Sequence, residues 1–182
     1  MQLLIYLKGS HMKRIITIDL KDYDETMTRY RRPSVRGIII RNGRIAMVYS
    51  QKYDYYKFPG GGIENNESHI ETLIREVSEE TGLTVIPDSI MPLGSVLRVQ
   101  KSRTADNEIF EQENYYYTCR ASDSVSTQSL DKYELEEGFQ LEYVEPEHAI
   151  DVNRSHYHSG YDEQLIEREA LVLEYILKEA LI

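Results

Sequence analysis

The chain has 182 residues, of which 41% are hydrophobic and 29% are charged, so it can bury one apolar core and is too short for two full domains. It carries 31 acidic and 21 basic residues, a formal net charge of −10 at pH 7, which repels the phosphates of nucleic acids and the surface of anionic membranes. The composition therefore disfavours duplex DNA and membranes as partners. An acidic protein can still bind a small phosphorylated ligand if cations bridge the two negative surfaces, so the charge hints at metal dependence.

The first residues have the features of a cloning remnant. The sequence Gly9-Ser10-His11-Met12 predicts that residues 1–11 are cloning-derived and that Met12 is the natural start. The single cysteine, Cys119, excludes an intramolecular disulfide and favours a reducing, cytoplasmic location. No apolar run reaches the roughly 18 residues of a transmembrane helix, so no membrane span is expected.

Strand patterns dominate the first third of the chain. A β-branched run predicts a strand over residues 14–20, followed by a charged connection over 21–33. Two further strand-like runs, 35–40 and 44–50, flank Asn42-Gly43, which is the strongest short-range signal for a tight hairpin turn. We therefore expect an N-terminal strand and connection over 12–33 and the main domain over 34–182.

The segment from Ser68 to Thr81 has the pattern of a helix packed on a core. Its apolar residues recur at the i, i+3, i+4, i+7 spacing: Ile70, Leu73, Ile74 and Val77. Ser68 and Glu71 form a capping-box signature at its start, and Gly82 stands where a left-handed C-cap glycine is expected. Both ends of this helix are therefore marked in the sequence.

Beyond the helix the pattern is again mostly that of strands. Strands are predicted over 93–100, 115–120 and 139–144, with a polar exposed loop over 121–129 and a second helix over 162–181. Together these elements predict one α+β domain in which helices pack on a mixed sheet.

Three carboxylates are predicted to share one face of the first helix. Glu76, Glu79 and Glu80 stand at i, i+3 and i+4, where like charges repel unless something cationic compensates them. Oxygen ligands of this kind suit Mg²⁺ or Mn²⁺ and argue against zinc. By itself an acidic helix face is more often merely solvated. The glycines that follow Pro59 favour the metal interpretation, because a backbone without side chains can approach phosphate or metal closely.

These residues together resemble the complete signature of a known family. In order along the chain they are Gly61, Glu67, Arg75-Glu76, Val77, Glu79-Glu80, Gly82 and Leu83. This spacing resembles the Nudix box of the Nudix hydrolases, with every specified position filled. The resemblance extends over residues 34–182 and implies an α/β/α sandwich with a mixed β-sheet.

The resemblance also implies a reaction and roles for individual residues. It implies hydrolysis of the P–O–P linkage in a nucleoside diphosphate linked to a group X, which makes a small nucleotide-derived substrate the expected partner. The implied catalytic group comprises Arg75 and the three glutamates Glu76, Glu79 and Glu80, which would ligate Mg²⁺ or Mn²⁺. In that resemblance the backbone carbonyl of Gly60 or Gly61 is a further ligand.

Within the same resemblance Arg75 would orient Glu76, Glu67 would fix the loop against the helix, and Gly82 would be structural. A homodimer is consistent with it. The alternative is a catalytically silent module that senses a nucleotide, which the intact glutamates disfavour.

Other residues are open alternatives for the remaining roles. Candidates for the general base are Glu111, Glu113, Asp123, Glu136 and Glu137, each of which is more often an ordinary surface charge. Tyrosines near the box could stack a nucleobase or simply favour strands: Tyr53, Tyr55, Tyr56 and Tyr115 to Tyr117. His156 and His158 could bind a metal, although two exposed loop histidines are the commoner case. Basic residues that could meet phosphates are Arg36, Arg98, Lys101 and Arg103.

Overall fold

A computed structural model of the chain describes residues 12–64, 66–155, 158 and 160–182. The predicted cloning-derived segment 1–11 and the candidate ligand His156 lie outside these residues. Within them the chain forms helices with the following bounds: α1 His69–Thr81, α2 Lys132–Glu137, α3 Pro146–Ser155 and α4 Glu163–Lys178. None of these helices is both long enough and apolar enough to cross a membrane.

The strands of the described chain range from two to eleven residues in length. Their bounds are β1 Arg14–Asp19, β2 Thr28–Arg31, β3 Ser34–Ile38, β4 Ile40–Arg41, β5 Arg44–Ser50, β6 Tyr55–Lys57, β7 Leu83–Val85, β8 Met91–Lys101, β9 Glu108–Thr118, β10 Ala121–Val125 and β11 Phe139–Val144.

The strands form one large mixed sheet and two smaller sheets. In the large sheet β8 and β9 are antiparallel, and β1 pairs with β8 in parallel. On the other side β2 and β3 both pair in parallel with β9, β2 with its first half and β3 with its second. A second sheet is antiparallel throughout and places β5 between β11 on one edge and β4 and β6 on the other. The third pairs β10 with β7.

Two apolar cores lie on opposite faces of the strands, because side chains alternate between faces. Ile38 belongs to the core beneath α3 and α4, whereas its neighbour Ile39 belongs to the core beneath α1. The same alternation separates Met47 from Ala46 in β5. Helices therefore cover both faces of the strand layer, which confirms the predicted α/β/α sandwich with a mixed sheet.

Helix α1 begins and ends where the sequence predicts. Ser68 accepts from the backbone N–H of Glu71 at 3.2 Å, while the Glu71 carboxylate accepts from the Ser68 N–H at 2.8 Å. The helix ends at Gly82, whose φ of +71° is left-handed. Gly37 of β3 lies beneath it, since a Cβ there would stand 3.0 Å from a methyl group of Val77. This close approach fixes the height of α1 above the sheet.

The hairpin is confirmed at Asn42-Gly43 but is shorter than predicted. Both turn residues have positive φ, as a two-residue hairpin turn requires. Only Ile40 and Arg41 pair with β5 across this turn, because β3 pairs instead with β9 in the large sheet. The predicted run 35–40 is therefore divided between two sheets.

Several elements were wrongly predicted or missed. The connection 21–33 contains β2, and the loop 121–129 contains β10. Both are polar, largely exposed strands at sheet edges, so neither shows hydrophobic alternation. Helices α2 and α3 were not predicted either, and β9 begins at Glu108 rather than Tyr115. The segment with β1 and β2 contributes both strands to the large sheet.

The left-handed C-cap of α1 leads to a prediction about stability. A Cβ on Gly82 would stand 2.0 Å from the carbonyl oxygen of Ser126, whereas a Cβ on Gly43, at a similar φ of +75°, meets nothing within 4 Å. We expect Gly43→Ala to lower the free energy of unfolding by about 1–2 kcal/mol through backbone strain alone. Gly82→Ala adds a steric clash and should cost about 2–5 kcal/mol in total. Urea denaturation of both variants measures the difference, and equal losses would contradict the clash.

Candidate active site

The guanidinium of Arg75 contacts three carboxylates of the box. Its Nε and Nη2 donate to the two oxygens of Glu67 at 2.7 and 2.8 Å, which is a bidentate ion pair. Its Nη1 donates to Glu76 at 2.7 Å and to Glu79 at 3.0 Å. One arginine therefore ties the loop before α1 to the carboxylate face of the helix. This is the geometry that the predicted roles of Arg75 and Glu67 require.

Glu67 is further held by the start of the helix. The Thr72 hydroxyl donates to Glu67 at 3.0 Å, and the backbone N–H of Glu64 donates at 3.3 Å. The hydrogen bonds from Arg75 lower the pKa of Glu67 to about 2. The carboxylate thus stays ionised throughout the physiological range and keeps its hold on the arginine.

Glu76 is buried against the glycine loop. A Cβ on Gly61 would lie 2.4 Å from both carboxylate oxygens of Glu76, so only glycine leaves room for this side chain. Burial raises the pKa of Glu76, and Arg75 opposes that rise. The absence of a side chain at Gly61 therefore creates the space in which the Glu76 carboxylate sits.

Glu80 is the most deeply buried of the three helix carboxylates. It forms an ion pair with the ammonium of Lys57 and accepts from the backbone N–H of Gly60 at 2.8 Å. Burial raises the pKa of Glu80 to about 7, against the lowering effect of the charges on Lys57 and Arg36. Lys57 was not identified from the sequence. The available signal was that Lys57 is the one cation among the aromatic residues 55–58 that lead to Pro59.

The two glycine carbonyls that the resemblance offers as ligands already accept protein hydrogen bonds. The Gly61 oxygen accepts from the Val35 N–H at 2.9 Å, and the Gly60 oxygen accepts from Arg36. A carbonyl oxygen has two lone pairs, so each can accept a second partner. Arg36, one of the candidate phosphate-binding residues, is therefore placed at the glycine loop.

The donor set fits a hard divalent cation, although the carboxylates do not converge in this structure. In the described part of the chain no three His, Cys, Asp or Glu side chains have the geometry of a metal cage. Instead Arg75 forms ion pairs with Glu76 and Glu79, and Lys57 forms one with Glu80. The side chains offer only oxygen ligands, as Mg²⁺ or Mn²⁺ prefers. Because Gly61 has no side chain, the Glu76 carboxylate has the room that a metal-ligating oxygen needs.

Among the five general-base candidates, Glu137 alone is buried. It ends α2, is buried, and accepts from the Ser50 hydroxyl at 3.2 Å and the Tyr55 hydroxyl at 3.3 Å. Burial raises its pKa, and the charge on Lys57 opposes the rise. The other four candidates pair with basic residues elsewhere: Glu111 with Arg29 and Arg31, Glu113 with Arg14, Asp123 with Arg41, and Glu136 with Lys132.

The tyrosine candidates divide between core and site. Tyr56 and Tyr116 pack in the core beneath α3 and α4, and Tyr117 packs in the core beneath α1. Tyr55 is different, because its ring stacks on Tyr161 at 4.8 Å and its hydroxyl contacts Glu137. Of these tyrosines, Tyr55 thus joins β6 to the end of α2 and to the residue pair before α4.

Two further residues that the sequence analysis named are buried. His158 is buried rather than exposed, and its ring nitrogens lie 2.8 Å from the Tyr53 carbonyl and 3.0 Å from the Asn153 carbonyl. Cys119 is a buried free cysteine, and burial raises the pKa of its thiol to about 12, which agrees with a packing role.

Comparison with known proteins gives a family match over most of the chain. A family model described as the NUDIX domain matches residues 30–165. An RNA pyrophosphohydrolase from Halorhodospira halophila is 42% identical over 69 residues, 37% of this chain and 36% of that protein. An 8-oxo-dGTP diphosphatase from Buchnera aphidicola is 39% identical over 56 residues, 29% of this chain and 43% of that protein. The matched region thus spans less than half the length of these curated relatives.

Solved structures show the same fold. A NUDIX hydrolase from Nitrosomonas europaea aligns with a TM-score of 0.56 and 15% identity, covering 82% of this chain and 91% of that one. A MutT protein from Bacillus halodurans aligns with a TM-score of 0.53 and 20% identity, covering 75% and 80% respectively. At these identities the likeness concerns the fold.

The lowered pKa of Glu67 predicts a pH-dependent contribution to stability. A carboxyl whose folded pKa lies below its ordinary value of 4.5 stabilises the fold above pH 4.5 and loses that contribution as pH falls toward about 2. We therefore expect Glu67→Gln to be less stable than the parent protein at pH 7, and the difference to shrink between pH 4.5 and 2. Urea midpoints at pH 7, 5 and 3 measure this. The exposed neighbour Glu64, changed to Gln, serves as control, and a constant difference for Glu67→Gln would contradict the prediction.

Proposed function

The chain belongs to the Nudix hydrolase family, and on that premise we propose that it is a divalent-metal-dependent pyrophosphohydrolase. Its substrate would be a nucleoside diphosphate linked to a group X, cleaved at the P–O–P linkage. One observation supports this most strongly. Arg75 forms ion pairs with Glu67, Glu76 and Glu79 while Lys57 pairs with Glu80, so the box residues form one ion-paired cluster with excess negative charge beside a glycine loop.

The cation would be held by Glu76, Glu79 and Glu80, with the carbonyl of Gly60 or Gly61 as a further ligand. When bound, Mg²⁺ or Mn²⁺ supplies charge neutralisation at the phosphate oxygens and lowers the pKa of water. Glu79 is the most exposed of the three carboxylates, with 40% of its side chain accessible. It would therefore be the ligand most accessible to a cation from solvent.

The protein residues around this cluster would position the substrate and move a proton. Arg75 keeps the carboxylates of Glu76 and Glu79 in place through two hydrogen bonds. Arg36 and Lys57 bring positive charge to the loop where the phosphates would lie. Glu137 would accept the proton of the attacking water, since burial favours its protonated form. The water oxygen forms a bond to phosphorus as the bridging P–O bond breaks, and the leaving phosphate takes its electrons.

The relatives narrow the substrate classes that deserve testing first. The names of the two curated relatives describe RNA pyrophosphohydrolysis and 8-oxo-dGTP hydrolysis, so triphosphorylated RNA ends and modified dNTPs head the list. Nucleotide sugars, dinucleoside polyphosphates and NADH complete a panel assayed with Mg²⁺, with Mn²⁺ and with EDTA. Metal-dependent release of products from one class would support hydrolysis. Nucleotide binding without turnover across the panel would favour the sensing module.

Three other features come from the resemblance, the single cysteine and the net charge respectively. A homodimer, a cytoplasmic location and the lack of affinity for duplex DNA stay predictions.

The helix carboxylates give a test with a control on the same helix. We expect Glu79→Gln to lower kcat by at least about 100-fold, because it removes a negatively charged oxygen ligand from the cation site. Glu71→Gln makes the same change of charge on α1, and Gln at this position still completes the capping box. It should therefore keep kcat within about twofold of the parent protein. Near-normal turnover by Glu79→Gln would contradict the assignment.

The general base has a matched control in the adjacent residue. Glu137→Gln should lower kcat by about 100-fold or more, whereas Glu136→Gln, which changes an exposed carboxylate paired with Lys132, should have little effect. The measurement is kcat with the best substrate from the panel. Equal activities for the two variants would exclude Glu137 as the base. Circular dichroism of both variants controls for the loss of the Ser50 and Tyr55 contacts.

A further inference from the structure

A buried arginine on the large sheet has hydrogen-bonding groups that the protein does not use. Arg98 and Gln100 lie two residues apart in β8, on the same face of the strand, and each is only 4% exposed. Within the described residues Arg98 Nε, Arg98 Nη1 and Gln100 Oε1 have no hydrogen-bond partner. Buried polar groups without partners are rare in proteins and call for an explanation.

A second arginine on the same face shows how a purely structural arginine is satisfied. Arg168 of α4 is fully buried, and its Nε, Nη1 and Nη2 all donate to side chains. Their acceptors are Glu169, Asn114 and Gln112. Arg98 by contrast forms a single ion pair through Nη2, with Asp162 at 2.8 Å, and lies 5.0 Å from the ring centre of Phe110. Arg98 therefore has two N–H donors, Nε and Nη1, that no described residue accepts.

The residues that cover Arg98 have the chemistry of a nucleotide. Asp162 places its carboxylate on Arg98, with its other oxygen 3.9 Å from Arg103. The preceding residue, Tyr161, lies with its ring 4.7 Å from the ring of Tyr53 and 4.8 Å from that of Tyr55. An aromatic ring on tyrosines beside an anion on arginines is the arrangement in which a base and a phosphate bind.

This site adjoins the proposed catalytic residues. The Tyr161 hydroxyl lies 2.8 Å from the Tyr55 hydroxyl, which in turn lies 3.3 Å from the Glu137 carboxylate. A ligand in place of Tyr161 and Asp162 would therefore lie next to the proposed general base.

We propose that Tyr53, Tyr55, Arg98 and Arg103 form a subsite for the nucleoside monophosphate unit of the substrate, and that Tyr161 and Asp162 occupy it until the substrate displaces them. The inference rests on the proposed function, because it assigns a place to one half of that substrate. A phosphate group offers more oxygens than the single carboxylate oxygen now bound, so it can pair with Nη2 and also with Nε or Nη1 of Arg98. Gln100 Oε1 is then available to a hydroxyl or N–H group of the ligand.

The proposal predicts that removing the internal anion strengthens binding of an external one. Asp162→Asn removes the charge while keeping a side chain that caps α4, since Asn is a good N-cap residue. The measurement is calorimetric titration with AMP, GMP and inorganic phosphate in EDTA. We expect Asp162→Asn to bind at least one nucleoside monophosphate about fivefold or more tightly than the parent protein.

The control for overall charge is Asp151→Asn, which removes one exposed carboxylate from α3. It should leave each dissociation constant within about twofold. If Asp162→Asn binds the nucleotides no more tightly than Asp151→Asn does, Asp162 only stabilises the fold and the proposal is overturned.

Two further variants separate the parts of the subsite. Tyr161→Ala should strengthen binding of AMP or GMP but leave that of inorganic phosphate unchanged, because only a base needs the tyrosine surface. Equal gains for nucleotide and phosphate would overturn the stacking role of Tyr53 and Tyr55. Arg98→Gln should weaken nucleotide binding about tenfold or more. Unchanged binding by a folded Arg98→Gln protein would overturn the proposal.

Failure of the subsite can be distinguished from failure of the proposed function. With Mg²⁺ and a hydrolysed substrate, Asp162→Asn should lower KM by a similar factor and leave kcat near the parent value. Hydrolysis with an unchanged KM and an unchanged dissociation constant would overturn the subsite alone. Absence of hydrolysis from every protein would overturn the proposed function, while tighter binding by Asp162→Asn in EDTA would still support the subsite.

Discussion

The ion pair between Arg75 and the carboxylates around it is the interaction on which the site depends. Glu76, Glu79 and Glu80 share one helix face, where like charges at these spacings repel. Arg75 offsets this repulsion for two of them and uses its remaining donors to hold Glu67 in the preceding loop. The same guanidinium thus stabilises the helix and fixes the loop. Lysine could not replace it, because a single ammonium lacks the planar fork that meets both oxygens of Glu67.

The glycines set the distances that this ion-pair cluster needs. Gly37 lets α1 approach β3, and Gly61 leaves the space that the Glu76 carboxylate fills. On the opposite side, side chains from α3 and α4 hold the backbone of the residues leading into the loop. Asn153 accepts from and donates to the backbone of Tyr56, and Glu169 accepts from the N–H of Phe58 at 3.2 Å. The glycine loop is therefore held from both layers of helices.

The sequence predicted the features whose signals are local. The caps of α1, the hairpin turn at Asn42-Gly43 and the box spacing each depend on residues a few positions apart, and the fold follows from their combination with the strand patterns. The missed strands are of another kind. The strand β2 pairs with β9 through partners about eighty positions away, and its Arg29 and Arg31 bind Glu111. The four residues of β2 carry no hydrophobic alternation that would predict this pairing, because their side chains are largely polar and all exposed.

The site residues show the same division. The glutamates on one face of α1 follow from helical spacing, whereas Lys57 and Glu137 reach the site only through the tertiary fold. Burial is what distinguishes Glu137 from Glu136, which is next to it in sequence but exposed. A list of acidic residues cannot make that distinction, since it depends on which side of α2 faces the sheet. The proposal of Glu137 as general base therefore depends on packing, because its contacts with Ser50 of β5 and Tyr55 of β6 arise only in the folded chain.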